Sequence, residues 1–325
     1  MKKLISLLCA VLLLVAICSG CSATNSTTPI TVRVAAIQGP TGIGMVHLMD
    51  AAANNSTAVT YDFSVSSAPT EVGPKLTNGD IDIAALPTNM AATLYNKTSG
   101  NIRLLAVNTL GVLYMLENGN TIQSVADLRG KTIYTSGQGA NPEYVLNYVL
   151  KQNGIDPTTD VTIKFVAENT ELATLMLKGD ATVAMVPQPV VSSITAQNGD
   201  IRIALSMNDA WEAVAGEENK LMMGCVAVRK EFLENHPKEV ETFLSEYKTA
   251  IEKTSDVDTT AALCEEYGII PKAAIAKKAI PYCELTFVSG TTMKEQIAKY
   301  YSVLFESNPQ SIGGKLPDEA FYYAG

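Results

Sequence analysis

A nine-residue segment that occurs twice constrains the fold of this chain more than any other feature of its sequence. Residues 79–87 read GDIDIAALP, and residues 179–187, one hundred positions later (179 minus 79), read GDATVAMVP. In each copy a Gly-Asp turn precedes a short apolar run, which is typical of a strand buried on both faces of a parallel sheet. The proline that ends each copy cannot donate a ladder hydrogen bond, so the chain is predicted to leave the sheet there.

The similarity continues on both sides of the repeated segment. Helix-like patterns precede the two copies, at residues 71–78 and 171–178, and a second matching strand follows each copy, IRLLA at 102–106 and IRIAL at 201–205. The offset of these strands is 99 (201 minus 102), so the register holds with one residue lost. A match over helix, strand, helix and strand indicates a duplicated α/β unit, which predicts two similar lobes facing each other across a cleft.

Length and composition fit two α/β lobes and argue against a nucleic-acid-binding protein. A chain of 325 residues suggests about two domains, and a hydrophobic content of 47% is enough for two cores. Nucleic-acid binding needs a basic stripe or an aromatic stacking surface. The formal net charge here is −9 and only 6% of the residues are aromatic, so we expect no nucleic-acid partner.

The first 29 residues are predicted to direct export and then to tether the mature chain. Two lysines precede an apolar run over residues 4–18, and a Ser-Gly pair stands directly before Cys21. The run is shorter than the ~20 residues of a membrane-spanning helix and fits an export signal. The pattern predicts a lipoprotein signal peptide at 1–20, with plain cleavage as the alternative. Lipidation of Cys21 would anchor the protein to a membrane surface, and the small polar residues of 21–29 would form a flexible tether.

The other cysteines give no disulfide framework. Cys225, Cys264 and Cys283 are an odd number, which is a poor basis for pairing. We expect buried thiols at all three positions, with a Cys264–Cys283 bridge as the alternative.

The sequence contains no evident catalytic or metal-binding motif. Its two histidines, His47 and His236, have no Cys or second His at metal-ligand spacing. A nucleophile elbow and a phosphate-binding Gly-Lys-Ser/Thr loop are also absent from the sequence. Asp80 and Asp82, in the first copy of the repeat, are predicted to cap turns and not to act as an acid and a base. We therefore expect no enzyme activity, no metal ion and no cofactor.

Polar loops follow four of the predicted strands and form the candidate ligand site. In open α/β sheets, ligands bind beyond the carboxyl ends of the strands. The loops contain no Lys or Arg, but free N–H groups at helix N-termini bind carboxylates, sulfonates or phosphates without a cation. Turn glycines and helix caps are the structural alternative for the same residues, and a packing role is the alternative for the one tryptophan. The candidate ligand-binding residues are Gln38, Gly39, Pro40, Thr41, Thr88, Asn89, Ser136, Gly137, Gln138, Gly139, Ala140, Asn141, Gln188 and Trp211.

Five motifs together resemble the solute-binding lipoproteins of ABC importers, most closely the nitrate/sulfonate/taurine and thiamine-precursor branch. They are the lipobox-like Cys21, GDIDIAALP, DLRGKTIYTSGQGANPEYVLNYVLKQNGI, GDATVAMVPQP and VRKEFLENHP. The resemblance covers about residues 30–305. It implies an α/β fold of the bilobal periplasmic-binding-protein type II, with two interlobe crossings and a ligand held between the lobes. It also implies a membrane permease and a cytoplasmic ATPase as partners, and an extracytoplasmic monomer anchored to the cell membrane.

The resemblance also suggests domain boundaries and a ligand class. Lobe 1 would comprise residues 30–110 with 226–325, lobe 2 would comprise 111–225, and the crossings would lie within 108–116 and 220–228. Neutral loops favour a sulfonate, a thiamine-precursor-like pyrimidine, or another small acid or zwitterion over nitrate. Two alternatives stay open at this point. One is an enzyme on the same fold, either menaquinone-pathway dehydratase-like or pyrimidine synthase-like, and the other is a ligand sensor without transport.

Overall fold

The structure is a computed structural model, and it describes residues 30–325. The predicted signal peptide, Cys21 and the predicted tether lie outside the described residues. Among residues 30–325, no helix combines the length and the apolar character needed to cross a membrane.

Eleven strands and thirteen α-helices are described in residues 30–325. The strands are β1 (Thr31–Ile37), β2 (Thr60–Ser66), β3 (Ile83–Pro87), β4 (Ile102–Thr109), β5 (Leu113–Asn118), β6 (Thr132–Thr135), β7 (Thr162–Phe165), β8 (Val183–Pro187), β9 (Ile201–Ser206), β10 (Gly224–Arg229) and β11 (Leu285–Ser289). The helices are α1 (Pro40–Ile43), α2 (Val46–Ala53), α3 (Pro69–Asn78), α4 (Thr88–Lys97), α5 (Asn141–Gln152), α6 (Asn169–Lys178), α7 (Val190–Gln197), α8 (Met207–Ala215), α9 (Lys230–Asn235), α10 (Pro237–Lys253), α11 (Val257–Glu266), α12 (Ala273–Ala279) and α13 (Gly290–Ser307).

The strands form two sheets that share one internal layout. The first sheet has the order β11-β4-β10-β3-β1-β2 and the second has the order β7-β6-β8-β5-β9. The repeated strands β3 and β8 hold equivalent central places, and four of the five residues in each are buried. Each pairs in parallel with one neighbour, β1 or β6, and antiparallel with the other, β10 or β5. The duplicated unit is therefore visible in the topology, but the sheets are mixed and not parallel as the repeat predicts.

The two sheets are linked by two connections, and the second of them is residues 216–223, between helix α8 and strand β10. Strand β4 runs to Thr109 and β5 starts at Leu113, so the first connection is only residues 110–112, inside the predicted crossing at 108–116. The return strand β10 starts at Gly224, two residues before the predicted start of the second part of lobe 1. Residues 31–325 form one compact unit. The division into lobes that move against each other stays a prediction.

One apolar core cluster includes residues from both sheets. It contains Leu86 of β3 and Met115 of β5, and it also contains Trp211 of α8. The indole of Trp211 packs between the rings of Tyr148 in α5 and Tyr300 in α13, with centroid distances of 4.7 and 5.5 Å. The sheets are therefore joined by packed side chains as well as by the chain itself.

The C-terminal segment, for which the sequence gives no assignment, packs on the first sheet. Phe321 is fully buried against the rings of Tyr95 and Tyr301. The backbone N–H of Tyr323 donates to the carbonyl of Leu104. The C-terminal segment therefore pairs with β4 at a point beyond the residues that pair with β11. The strand β11 is also missing from the sequence prediction.

The three cysteines of the described chain are buried and unpaired, as the sequence predicts. Cys225, Cys264 and Cys283 are each fully buried and carry free thiols. Burial raises the pKa of the Cys264 thiol to about 12, and it raises the pKa of the other two thiols as well. Such thiols are poor nucleophiles.

A buried carboxylate fixes the end of β5 in the second sheet. Glu117 is 3% exposed, and its Oε1 accepts hydrogen bonds from the N–H and hydroxyl of Thr121, at 2.8 and 2.6 Å. Its Oε2 accepts from the N–H of Ile122 at 3.2 Å and from Nη2 of Arg202 at 2.7 Å. Burial alone would raise the pKa of Glu117, but these donors outweigh it and lower the pKa to about 2.

The variant Glu117→Gln is expected to lower the free energy of unfolding by about 2–3 kcal/mol at neutral pH, because Arg202 loses its buried partner. The folded-state pKa of Glu117 lies below the ordinary value of 4.5, so its stabilising contribution is complete above that pH. The contribution is lost as the pH falls toward the folded-state pKa. The Gln variant should therefore lose less stability than the natural protein on acidification. Urea unfolding followed by circular dichroism, at neutral and acidic pH, measures both effects.

Glu218→Gln is the matched control, because the Glu218 side chain is 90% exposed and meets only Lys299. We expect it to change the free energy of unfolding by less than about 0.5 kcal/mol. The account of Glu117 would be wrong if its Gln variant and the natural protein lost stability equally on acidification.

Candidate ligand-binding site

The predicted ligand loops lie at the carboxyl ends of strands in both sheets. In the first sheet, Gln38 directly follows β1 and Thr88 directly follows β3. In the second sheet, Ser136 directly follows β6 and Gln188 directly follows β8. Because β1 pairs in parallel with β3, and β6 with β8, the two loops of each sheet lie at the same sheet edge.

Direct hydrogen bonds join the two edges. The side-chain amide of Asn141, the first residue of α5, donates to Thr88 Oγ1 at 3.1 Å and to the carbonyl of Met223 at 3.3 Å. The Thr88 hydroxyl donates to the carbonyl of Met222 at 2.6 Å, and the Tyr301 hydroxyl donates to the carbonyl of Thr88 at 2.8 Å. Thr88 and Asn141, which stand on different sheets, are thus brought into contact.

Asn141 does not cap its own helix, although the sequence predicts that it does. The N-cap of α5 is Ala140, and no side chain caps this terminus. Asn141 is the first helical residue and Pro142 the second. The side-chain amide of Asn141 is therefore free to reach the other sheet.

Thr41 lies beside the second connection. Its carbonyl accepts a hydrogen bond from Nδ2 of Asn108 at 3.3 Å, and the same amide donates to the Tyr247 hydroxyl at 2.9 Å. A Cβ atom on Gly224 would lie 2.3 Å from Cγ2 of Thr41 and 2.7 Å from Oδ1 of Asn108, so only glycine fits there. Neither Asn108 nor Gly224 belongs to a motif that the sequence singles out. Asn108 and Thr109 are two polar residues at the end of the apolar strand β4. This pattern is the sequence signal that could have identified Asn108.

The loop at 136–141 is organised within the second sheet. The Ser136 hydroxyl donates to Oδ1 of Asn169, the first residue of α6, at 2.6 Å. Gly137 and Gly139 have φ values of 76° and 74°, the left-handed region that favours glycine. The N–H of Gly139 donates to the Glu143 carboxylate at 2.6 Å. The two glycines thus allow the backbone conformation of the loop. The hydrogen bond of Ser136 links the loop after β6 to the start of helix α6, which follows β7.

Gln188 is the most informative residue of the second edge. It is 2% exposed, and its Oε1 accepts from the hydroxyl and N–H of Ser192, at 2.9 and 3.3 Å. Its backbone N–H donates to the carbonyl of Val112 in the first connection. Its Nε2 is buried and has no hydrogen-bond partner within residues 30–325. An unpartnered buried donor costs about 1–3 kcal/mol, so it is a natural place for an acceptor on a ligand.

Three candidates in the loops are exposed, namely Gln38, Gln138 and Gly139. The Gln38 side chain donates to the carbonyl of Gly268 at 3.1 Å, and the N–H of Gly39 donates to the carbonyl of Ile269. Gln138 is exposed at the tip of its loop. Pro40 begins the short helix α1 and holds Thr41 beside it.

Asn89 and Trp211 have packing roles in the structure. The Asn89 amide donates to the carbonyl of Ser311 at 3.4 Å, toward the C-terminal segment. Trp211 is fully buried, and its Nε1 donates to the carbonyl of Asn219 at 2.7 Å. Its ring faces are occupied by the aromatic neighbours described above. Asn89 follows Thr88 directly, but its amide donates toward the C-terminal segment, and both ring faces of Trp211 are covered, so we leave these two residues out of the proposed site.

Two α/β sheets joined by two connections, with polar strand ends in contact across them, define a solute-binding protein of the periplasmic type. A family model described as "ABC transporter, phosphonate, periplasmic substrate-binding protein" matches residues 51–269. That is 219 of 325 residues (269 minus 51 plus 1), and the chain belongs to this family. It is an extracytoplasmic substrate-binding protein of an ABC importer, a class that binds a small solute and works with permease and ATPase subunits. The resemblance seen in the sequence is thereby confirmed.

Solved structures show the same fold. An ABC transporter protein from Parabacteroides distasonis is 21% identical and has a TM-score of 0.75, over 90% of this chain and 98% of that one. The aliphatic sulphonate binding protein SsuA from Escherichia coli is 15% identical with a TM-score of 0.70, over 91% and 92% of the two chains. The alkanesulfonate-binding protein SsuA from Xanthomonas axonopodis pv. citri, bound to MOPS, is 12% identical with a TM-score of 0.67, over 91% and 98%. No curated protein matches the sequence.

Proposed function

We propose that the protein captures a small organic oxyanion, a phosphonate or a sulfonate, between its two lobes and delivers it unchanged to the permease. The observation that carries this proposal is the buried, unpartnered Nε2 of Gln188 at the carboxyl end of β8. It is a neutral donor next to the first connection, where an acceptor oxygen of a solute would satisfy it. The family of the chain supports a phosphonate as the solute, and the sulfonate-binding proteins of the same fold support a sulfonate.

Helix N-termini supply the electrostatic part of the proposed site. Helices α5 and α7 each begin a few residues after a strand end, and each has eight or more residues. Their N-termini carry partial positive charge and free N–H groups, which favour a bound anion without a Lys or Arg. The residues proposed to line the solute are Gln38, Gly39, Pro40, Thr41, Ser136, Gly137, Gln138, Gly139, Ala140 and Gln188; the donors of Gly39, Ser136, Gly139 and Ala140 are already bonded within the protein, so Gln188 supplies the unpartnered buried donor.

A screen by thermal unfolding tests this function. A ligand that binds only the folded state stabilises it by about 2.7 kcal/mol at one hundred times its Kd. We expect at least one alkylphosphonate or alkanesulfonate to raise the Tm of the purified protein, and pyrimidines and neutral amino acids to leave it unchanged. Stabilisation by pyrimidines alone would refute the oxyanion proposal, and conversion of a stabilising solute into a product would revive the enzyme alternative.

The variant Gln188→Glu is expected to lower the affinity for the oxyanion about 100-fold, because a carboxylate facing an anion costs several kcal/mol. Glutamate has the shape of glutamine and keeps an oxygen to accept from Ser192, so the loop should be preserved. Titration calorimetry with the best oxyanion of the screen measures the affinity. Gln197→Glu is the matched control, because Gln197 is exposed on the following helix α7. Unchanged affinity in a folded Gln188→Glu protein would remove Gln188 from the site.

We also propose that the mature chain begins at Cys21, acts as a monomer and is anchored by lipid on the extracytoplasmic side of the membrane. The sequence pattern around Cys21 supports the anchor. A mass spectrum of the mature N-terminal peptide tests it, and an unmodified Cys21 would refute it.

A further inference from the structure

The side chain of Asn141 uses its whole donor capacity on contacts to the other sheet and to the second connection. A side-chain amide has two N–H groups, and those of Asn141 go to Thr88 Oγ1 and to the carbonyl of Met223. The N–H of Met223 in turn donates to the carbonyl of Thr109, at the end of β4. Asn141 is 1% exposed, so these bonds are shielded from water.

Thr88 has no hydroxyl donor left for an anion. Its single O–H donates to Met222, and its Oγ1 accepts from Asn141. Its backbone N–H donates to the carbonyl of Met223, and its carbonyl accepts from Tyr301. An oxyanion needs donors, and neither Thr88 nor Asn141 has a side-chain donor to offer in this arrangement.

The remaining polar atom of the Asn141 side chain is its carbonyl oxygen, which cannot donate a hydrogen bond to an anion. Its Oδ1 is buried and has no hydrogen-bond partner in the described chain. An amide oxygen is an acceptor, and an acceptor aimed at a phosphonate or sulfonate oxygen is repulsive. The orientation of the amide is fixed by the Met223 carbonyl, which can only accept.

We propose that Asn141 is a positioning residue that holds the two lobes together by bonding Thr88 and the second connection, and that it does not bind the solute. This inference rests on the proposed function, because lobe closure is what traps the solute. Removing the amide favours the open arrangement of the lobes. It therefore speeds release of the solute more than it slows capture.

The test measures the distance between the lobes without any solute. Dyes are placed on cysteines introduced at Lys97 in lobe 1 and Gln197 in lobe 2, both exposed. The native thiols of the described chain are buried. Single-molecule energy transfer then gives the ratio of open to closed molecules. We expect Asn141→Ala to raise this ratio about tenfold, as the loss of buried hydrogen bonds implies.

Thr88→Val removes the same contact from the other side, since valine has the shape of threonine without its hydroxyl. It should raise the open fraction as well, and the double variant should add little beyond either single change. Asn153→Ala is the matched control, because Asn153 directly follows the other end of α5, is exposed, and its side-chain amide donates to the carbonyl of Val149, four residues earlier in the same helix. The control should leave the ratio unchanged.

A ratio unaffected by Asn141→Ala, together with weaker binding of the oxyanion, would make Asn141 a direct solute contact and overturn the proposal. Should Asn141→Ala fail to fold, Thr88→Val decides in the same way. A natural protein that binds no oxyanion would refute the proposed function, while the distance measurement would still decide whether Asn141 holds the lobes together.

Discussion

Replacing Asp82 by asparagine is expected to lower the free energy of unfolding by about 3–5 kcal/mol, because two arginines lose the charge of a buried partner. Asp82 is 1% exposed. Its Oδ2 accepts from the N–H and Nε of Arg33, at 3.1 and 2.9 Å. Its Oδ1 accepts from Nη2 of Arg33 at 2.6 Å and from Nη2 of Arg229 at 3.2 Å.

The size of this effect follows from where the three residues stand. Asp82 immediately precedes β3, Arg33 lies in β1 and Arg229 ends β10, so one carboxylate ties three adjacent strands of the first sheet. Burial alone would raise the pKa of Asp82, but hydrogen bonds from both arginines outweigh it and lower the pKa. The carboxylate is therefore charged at neutral pH, and its loss leaves the Arg33 guanidinium without its counter-charge and Arg229 with only the exposed Glu231 as a partner in the described chain.

The same repeat provides a matched control for Asp82. Asp80 stands two residues earlier and is exposed. We expect Asp80→Asn to change the free energy of unfolding by less than about 0.5 kcal/mol. Urea unfolding of both variants measures the difference. Equal, small effects from the two substitutions would show that the Asp82 network does not stabilise the sheet.

The ion pairs of Asp82 could not be predicted from the sequence. Its partners lie 49 and 147 positions away along the chain, so the sequence alone suggested a turn cap. The second copy of the repeat has Thr182 at the corresponding position, so the duplication gave no hint of an ion pair. Local patterns predicted strand β3, because the burial of a strand shows as a run of consecutive apolar residues. They did not predict that the charged side chain of Asp82, just before this strand, is buried.

The duplication predicted the framework of both sheets, and β11 is the one strand of the described chain that the sequence did not predict. Strands β3 and β8 were found from their apolar runs, and β4 and β9 from their matching sequences. The neighbours β10 and β5 follow the crossings predicted at 220–228 and 108–116, but no local pattern gives the antiparallel direction in which they pair with β3 and β8. The prediction of a parallel sheet was wrong for this reason.

The ligand-binding role of the candidate residues stays a prediction, although the structure places their loops at the carboxyl ends of strands. The structure brings Thr88 and Asn141 to within 3.1 Å, as loops at the carboxyl ends of strands should be. The individual roles depend on which donors are already used, and that depends on backbone carbonyls such as that of Met223. Carbonyl positions follow from the folded chain, so sequence motifs could not assign them.

Gly42 occupies the tightest position next to the proposed site. It lies in the short helix α1 that follows β1. A Cβ atom there would stand 2.2 Å from the carbonyl oxygen of Ile37 and 2.9 Å from Cδ1 of Ile269. The Ile269 side chain can turn away, but the Ile37 carbonyl belongs to the backbone of β1 and cannot move without the strand.

Gly42→Ala is therefore expected to lower the free energy of unfolding by about 3 kcal/mol or more, at the upper end of overpacking effects. For a chain of this size that corresponds to a fall in Tm of roughly 6–12 °C. The loop that carries Thr41 would shift with the helix, so the affinity for the oxyanion should fall as well. Gly199→Ala is the control, because within residues 30–325 no atom beyond its two chain neighbours lies within 4 Å of its Cβ position. Scanning calorimetry of both variants measures the difference. If Gly42→Ala and Gly199→Ala had the same Tm, β1 and α1 could move apart without loss of stability, and this loop would not hold Thr41 rigidly.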